Sequence, residues 1–364
     1  VPIAKVHRIS AAAPDDVRGI EAAVAERRID PAGVVAVLGK TEGNGLVNDF
    51  SRGLATTSLT ALFHRHLPAD AAGQICLVMS GGTEGGMAPH WLVFERGEGA
   101  TGPSPALAIG RAHTPPTPFE QLGRRGQVEQ VAAGVRAAMH NAGIERPSDV
   151  HFVQIKCPLL TAQRVAEAGR RGVAVATRDT LKSMGLSRAA SALGAAVALG
   201  ELEMATIADA AIGADWTLSS SCASASAGIE LVNNEIVVLG MSNAWSGPLA
   251  IDHAVMADAL DIEPVRRTLG RLGLDTAGQL AEPLRQRLVA VLAKAEASHD
   301  GRLRDHRHTM LDDSDISSTR HARAFVCGAL AGLIGHAEIY VSGGAEHQGP
   351  DGGGPVALIV DRGP

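Results

Sequence analysis

Three stretches that end in lysine decide the fold: GVVAVLGK (33–40), VHFVQIK (150–156) and RLVAVLAK (287–294). Each is an apolar run of strand length that stops at a charge. Each is answered further along the chain by a segment that ends in serine: ICLVMS (75–80), SSSCASAS (219–226) and EIYVS (338–342). Between lysine and serine lies an arginine after a small hydroxyl residue, in Ser51-Arg52, Ser187-Arg188 and Thr319-Arg320. The sets are therefore Lys40/Arg52/Ser80, Lys156/Arg188/Ser226 and Lys294/Arg320/Ser342. In the middle set Ser219, Ser220, Ser221 and Ser224 are rivals, and the spacing to GIEL and the next strand favours Ser226. A Lys/Arg/Ser set repeated three times in one order predicts a single pocket with three similar walls, suited to a small, flat, near-threefold ligand.

Working outward, the surroundings of these sets repeat as well. Helix-like stretches open the units at 15–29, 127–143 and 282–295, the last merging into its strand. Small-residue helices follow the arginines at 53–67, 189–203 and 322–335. Apolar strands close the units at 90–97, 234–242 and 354–363. The period exceeds 100 residues, far beyond that of solenoid repeats. Alternating strands and helices in each unit predict an α/β fold, with three homologous repeat units around a pseudo-threefold axis and the site at the centre. Gly/Pro/Ser-rich stretches at 95–105, 112–119 and 240–250 mark the junctions, giving units over 1–104, 112–248 and 254–364.

Composition narrows the function. At 364 residues a sizeable core is affordable. A formal net charge of −6 and 3% aromatic residues leave no basic, aromatic-studded surface, so nucleic acid is not an expected partner. No apolar stretch is long enough to span a bilayer, and VPIAKVHRI lacks a signal-peptide core, so a cytoplasmic protein without membrane contact is expected. Cys76, Cys157, Cys222 and Cys327 have no metal-finger spacing and read as reduced, buried apolar side chains.

The chemistry follows from the residue types. A serine hydroxyl becomes a useful nucleophile when a base takes its proton. A lysine can be that base when burial or neighbouring cations disfavour its ammonium form. Converging lysines and arginines supply such crowding, and the charged members can bind carbonyl oxygens and an oxyanion. Gly81 and Gly343, each following its serine, let backbone N–H groups approach a ligand, whereas Ala227 follows Ser226. GVVAVLGKT (33–41) is not a phosphate loop: five residues, not four, separate Gly33 from Gly39, and they read as a strand. The loop GGAEHQGPDGGGP (343–355) could offer carbonyls and the Gln348 oxygen, with Glu296, to a hard cation, although its spacing alone reads as structural. Asp312, Asp313 and Asp315 read as capping residues for the helix that carries Arg320.

The strings GKTEGNGLVNDFSRG (39–53), LVMSGGTEGG (77–86), VQIKCPLLT (153–161), TLKSMGLSR (180–188), HTMLDDSDISSTRHARA (308–324) and YVSGGAEHQGPDGGGP (340–355) together resemble the cyanuric acid hydrolase and barbiturase family of cyclic amide hydrolases. The resemblance spans the chain and is nearer to the cyanuric acid hydrolases. It implies hydrolytic opening of cyanuric acid to carboxybiuret, which yields biuret and CO2. It makes Lys156 the base and Ser226 the nucleophile. Arg52, Arg188 and either Arg320 or Arg323 would bind carbonyls. Lys40, Lys294 and the pairs Ser80-Gly81, Ser226-Ala227 and Ser342-Gly343 would hold the ring. It also implies a structural Mg²⁺ or Ca²⁺ at Glu296, Ala345, Gln348, Gly349, Pro350 and Gly353, no organic cofactor, and a homotetramer. Opening of barbituric acid to ureidomalonate is the near alternative. Binding of a small ring without turnover is the alternative from another class.

Overall fold

The computed structural model describes residues 1–100 and 102–363. The first unit runs β1 (Pro2–Ser10), α1 (Arg18–Ala25), β2 (Val34–Thr41), α2 (Phe50–His64), α3 (Ala69–Ala72), β3 (Cys76–Gly81) and β4 (His90–Glu98). The second runs β5 (Ala106–His113), α4 (Arg125–Ala142), β6 (Val150–Pro158), α5 (Ala162–Arg170), α6 (Thr180–Ala198), β7 (Ala223–Gly228) and β8 (Glu235–Ser242). The third runs β9 (Leu249–Met256), α7 (Glu263–Arg271), α8 (Glu282–Arg285), β10 (Leu288–Ala295), β11 (Arg302–Leu303), β12 (His306–Arg307), α9 (Ser318–Ile334), β13 (Tyr340–Gly343) and β14 (Gly354–Asp361).

Each unit folds into a four-stranded mixed sheet of one topology, with orders β1-β4-β2-β3, β5-β8-β6-β7 and β9-β14-β10-β13. In every sheet the lysine strand runs parallel to the serine strand and antiparallel to the closing strand. Even the irregularity repeats: the lysine strand is bulged near its start at Val34/Ala36, Val150/Phe152 and Leu288/Ala290. β11 and β12 form a small hairpin inserted in the third unit.

The lysine strands are buried on both faces, which explains their continuous apolar runs. Val37, Met79, Trp91 and Val93 face the helices of the first unit, and Val291, Ala293 and Val341 those of the third. Alternate residues, Ala36 and Leu38 with Ala290 and Leu292, share one central core with strands of all three sheets. The period of two carries Lys40 and Lys294 onto that same inner face.

Two expectations differ from this architecture. β5 and β9 pair within the second and third sheets, so those units begin by residues 106 and 249, ahead of 112 and 254. The stretch 95–105 and the third unit's end at 364 each include one residue outside those described. The opening helix of the third unit is α7, not 282–295. Leu288–Ala295 is a strand because every second side chain fits the central core, and only Glu282–Arg285 is helical.

Candidate active site

Parallel pairing sets each lysine directly opposite its serine: Lys40 opposite Ser80, Lys156 opposite Ser226 and Lys294 opposite Ser342. The three serine strands meet at the centre of the molecule. All three lysines are at most 1% exposed. Each is held by a carbonyl of the next unit, one residue before that unit's serine. Lys40 Nζ donates to Val341 O (2.6 Å), Lys156 Nζ to Met79 O (3.2 Å) and Lys294 Nζ to Ala225 O (3.0 Å). This closed cycle joins the three units through their functional side chains.

The lysines then diverge. Lys40 Nζ reaches Ser80 Oγ at 3.2 Å and Lys294 Nζ reaches Ser342 Oγ at 3.1 Å. Lys156 Nζ instead pairs with Glu230 Oε1 at 2.7 Å, and Ser226 Oγ meets Ser342 Oγ at 3.1 Å. Burial, then Arg323, pushes Lys40 well below its ordinary value. Burial, then Arg188, lowers Lys294 to about 7. Burial pushes the Glu230 carboxyl up, but Lys156 and then Arg52 outweigh it and hold the group at about 2.

The pocket above these groups is small, about 20 Å³, and is lined by Arg52, Arg188, Arg323, the three serines, Gly81, Ala227 and Gly343, with Gly45, Met79 and Met184. Arg323, not Arg320, completes the arginine set, because one turn of α9 carries Arg323 inward. Arg320 stays a third exposed and pairs with Glu84 at the rim (2.8 Å). The preceding hydroxyl that singles out Thr319-Arg320 in sequence is therefore no guide here. Gly45, Met184, Arg188 and Gly343 also line a wider mouth with Trp216, His299 and Glu346.

Four residues not singled out in the sequence belong to this centre. Glu84, Glu230 and Glu346 each lie four positions after a serine, in SGGTE, SAGIE and SGGAE. That repeat was legible. Glu84 accepts from Arg323 Nε (3.0 Å) and Glu346 from Arg188 Nε (2.8 Å), each bridging to a neighbouring unit. Tyr340 is the only tyrosine in the chain. It is fully buried beside Ser226 and Ser80, and its Oη has no hydrogen-bond partner among the described residues.

At the expected cation site, Glu296 is buried and accepts from Ala297 N (3.0 Å) and Ala345 N (3.2 Å). Burial and the neighbouring Glu346 both push its carboxyl up. A buried carboxylate fits a hard cation, with carbonyls of 345–353 as further donors, whereas Glu346 is already paired with Arg188. The Gln348 side chain fits less well, because its Oε1 accepts from Ala225 N (2.6 Å) and its Nε2 donates to Gly344 O (3.0 Å). The four cysteines are free and buried. Ser317 caps α9 without a side-chain hydrogen bond, while Asp313 accepts from Asp315 N and Ile316 N and pairs with His321. Among the described residues no helix is long and apolar enough to cross a membrane.

Comparison with known proteins gives a consistent result. The chain is 65% identical over 363 residues to the cyanuric acid amidohydrolase of Azorhizobium caulinodans, covering 100% of this chain and 99% of the relative. It is 62% identical to that of a Bradyrhizobium species, over 99% and 98% of the two chains. The crystal structure of the Azorhizobium caulinodans cyanuric acid hydrolase superposes with a TM-score of 0.93 at 64% identity, covering 100% and 99%. A second cyanuric acid hydrolase structure, described as an evolutionary innovation by structural concatenation, gives 0.94 at 48% identity, covering 99% of each. The sequence profile of one family matches residues 5–361, nearly the whole of the three-sheet body, and with it the chain belongs to the amidohydrolase ring-opening protein family.

Proposed function

We propose that this protein is a cyanuric acid amidohydrolase that opens the triazine ring with a serine nucleophile. The observation that carries the reading is the convergence of three serines, each register-matched to a buried lysine, and three arginines on one pocket. A ring with three equivalent carbonyls offers the same face to each wall.

In this mechanism Arg52, Arg188 and Arg323 bind the carbonyl oxygens, and the N–H groups after the serines lie within reach of the same ring. Ser226 Oγ attacks one ring carbonyl as Lys156 takes its proton. The carbonyl π pair moves to oxygen, and its collapse breaks the C–N bond. The ring nitrogen takes the proton back from Lys156. Water then releases carboxybiuret, which loses CO2 to give biuret. Lys40 and Lys294, each tied to its own serine, orient the remaining ring atoms.

We also propose a structural Mg²⁺ or Ca²⁺ at Glu296 and the carbonyls of 345–353, which would brace the loop after Ser342, and a homotetrameric, cytoplasmic protein. The buried Glu296 carboxylate supports the first; the family resemblance supports the second. Product analysis with cyanuric and barbituric acids, run separately, tests the central reading. Biuret and CO2 from cyanuric acid alone are expected. Turnover of barbituric acid alone would replace the substrate, and turnover of neither would favour a binding protein.

A further inference from the structure

The three glutamates that follow the serines are equivalent in sequence but not in space. Glu84 of the first unit meets Nε of Arg323 from the third, and Glu346 of the third meets Nε of Arg188 from the second. Continuing the cycle, Glu230 of the second unit should meet Nε of Arg52 from the first. It does not, because its carboxylate lies on Lys156 Nζ at 2.7 Å. The donor it would have met is left over. Arg52 Nη1 donates to Ala227 O (3.3 Å) and Nη2 to Leu46 O (2.5 Å), but the buried Nε has no acceptor among the described residues. An unpaired buried N–H is costly and rare in native structures. Gly228 leaves the room this carboxylate needs, since a Cβ there would meet the Glu230 carboxylate oxygens at 2.1 and 2.4 Å.

We propose that Glu230 is a two-position carboxylate that governs the middle lysine–serine pair. On Lys156 it ties the lysine down. On Arg52 Nε it completes the third glutamate–arginine pair and releases Lys156 to Ser226. Glu230 is thus a positioning residue, acting on the reaction through Lys156 and Arg52. Among the described residues the other two lysines have no carboxylate ion-pair partner, so this asymmetry distinguishes one of three otherwise similar pairs. The proposal rests on Lys156 being the base.

The other groups around this pair are Glu235 on β8 and Cys157 on β6, both near Lys156, and Arg164 on α5, near Glu230. Glu235 is buried and pushed up to about 7. Glu235 is a second titrating group beside Lys156, so the test is a comparison between variants.

The test is the pH profile of kcat/KM for cyanuric acid in wild type, Glu230→Gln, Glu84→Gln and Lys156→Met, with thermal unfolding as a check on folding. A carboxylate beside an ammonium favours the protonated base. Removing it therefore moves the acidic limb to lower pH, by about one unit or more for an opposite charge at hydrogen-bond distance. Glu84 pairs with Arg320 and Arg323 rather than with Lys156, so Glu84→Gln should raise KM and leave the limb in place. Arg52→Lys removes the second seat of the carboxylate and should move the limb the other way. An unmoved limb in folded Glu230→Gln, with Lys156→Met inactive, overturns the two-position role and leaves the base assignment standing. Full turnover by Lys156→Met overturns the base assignment, and this proposal with it.

Discussion

Ser226 stands opposite Lys156 in register, yet its hydroxyl touches Ser342 and its lysine touches Glu230. The assignment of Ser226 as nucleophile therefore makes a strict prediction. Ser226→Ala should lower kcat by at least about 10³-fold, as removal of a covalent nucleophile does elsewhere. Ser80→Ala should act mainly on KM, and steady-state kinetics on both variants checks the distinction. Lys40 carries a second prediction at this scale. Burial holds its folded-state value well below 10.5, so between that lowered value and the ordinary one the unfolded chain binds a proton that the folded chain does not. Stability then rises with pH until the unfolded lysine itself titrates, near about 10.4. Chemical denaturation between about pH 7 and 9.5 should show this rise in wild type, reduced in Lys40→Met.

The strand pairs explain why the site is built this way. A parallel lysine–serine strand pair fixes the two side chains opposite each other, and the period of two sends both to the inner face. The closing strand runs between the lysine strand and the first strand, which leaves the serine strand at the sheet edge, where it can meet its two counterparts. Close contact between layers depends on small residues. At Gly110 on β5 a Cβ would lie 2.0 Å from Ala138 O and 2.8 Å from the Ala142 Cβ of α4. Gly110→Ala should destabilise the protein by about 1–3 kcal/mol through overpacking. Because this contact is on the outer side of the sheet, the variant should keep its KM, and denaturation with kinetics tests both halves.

For the molecule as a whole, the cycle of lysine-to-carbonyl bonds makes the cavity a property of all three units at once. A ligand that bridges the arginines should therefore raise the melting temperature, by mass action, and more so as its concentration exceeds Kd. The proposed cation site at Glu296 carries its own prediction. Chelation of divalent cations should lower Tm in wild type and leave Glu296→Ala, already destabilised, unchanged on chelation, as scanning calorimetry would show. If the tetramer forms, light scattering will give four times the 37.5 kDa of one chain.

Much of this was legible in the chain. The apolar runs ending at Lys40, Lys156 and Lys294, and the serines that follow them, determined three α/β units with one shared site, because strand periodicity is written residue by residue. The Ser-x-Gly-x-Glu repeat is equally visible in Ser80 to Glu84, Ser226 to Glu230 and Ser342 to Glu346. Only the tertiary structure could choose Arg323 over Arg320, since both lie in one helix and the choice depends on which face of α9 turns to the axis. It alone placed the third unit's opening helix at Glu263–Arg271, ahead of the short helix Glu282–Arg285 that runs into the strand already legible at 287–294. It alone broke the symmetry of the glutamates: the carboxylate of Glu230 has a lysine of its own sheet and an arginine of the next within reach, and which it takes is a matter of distances across a unit boundary that no local sequence encodes.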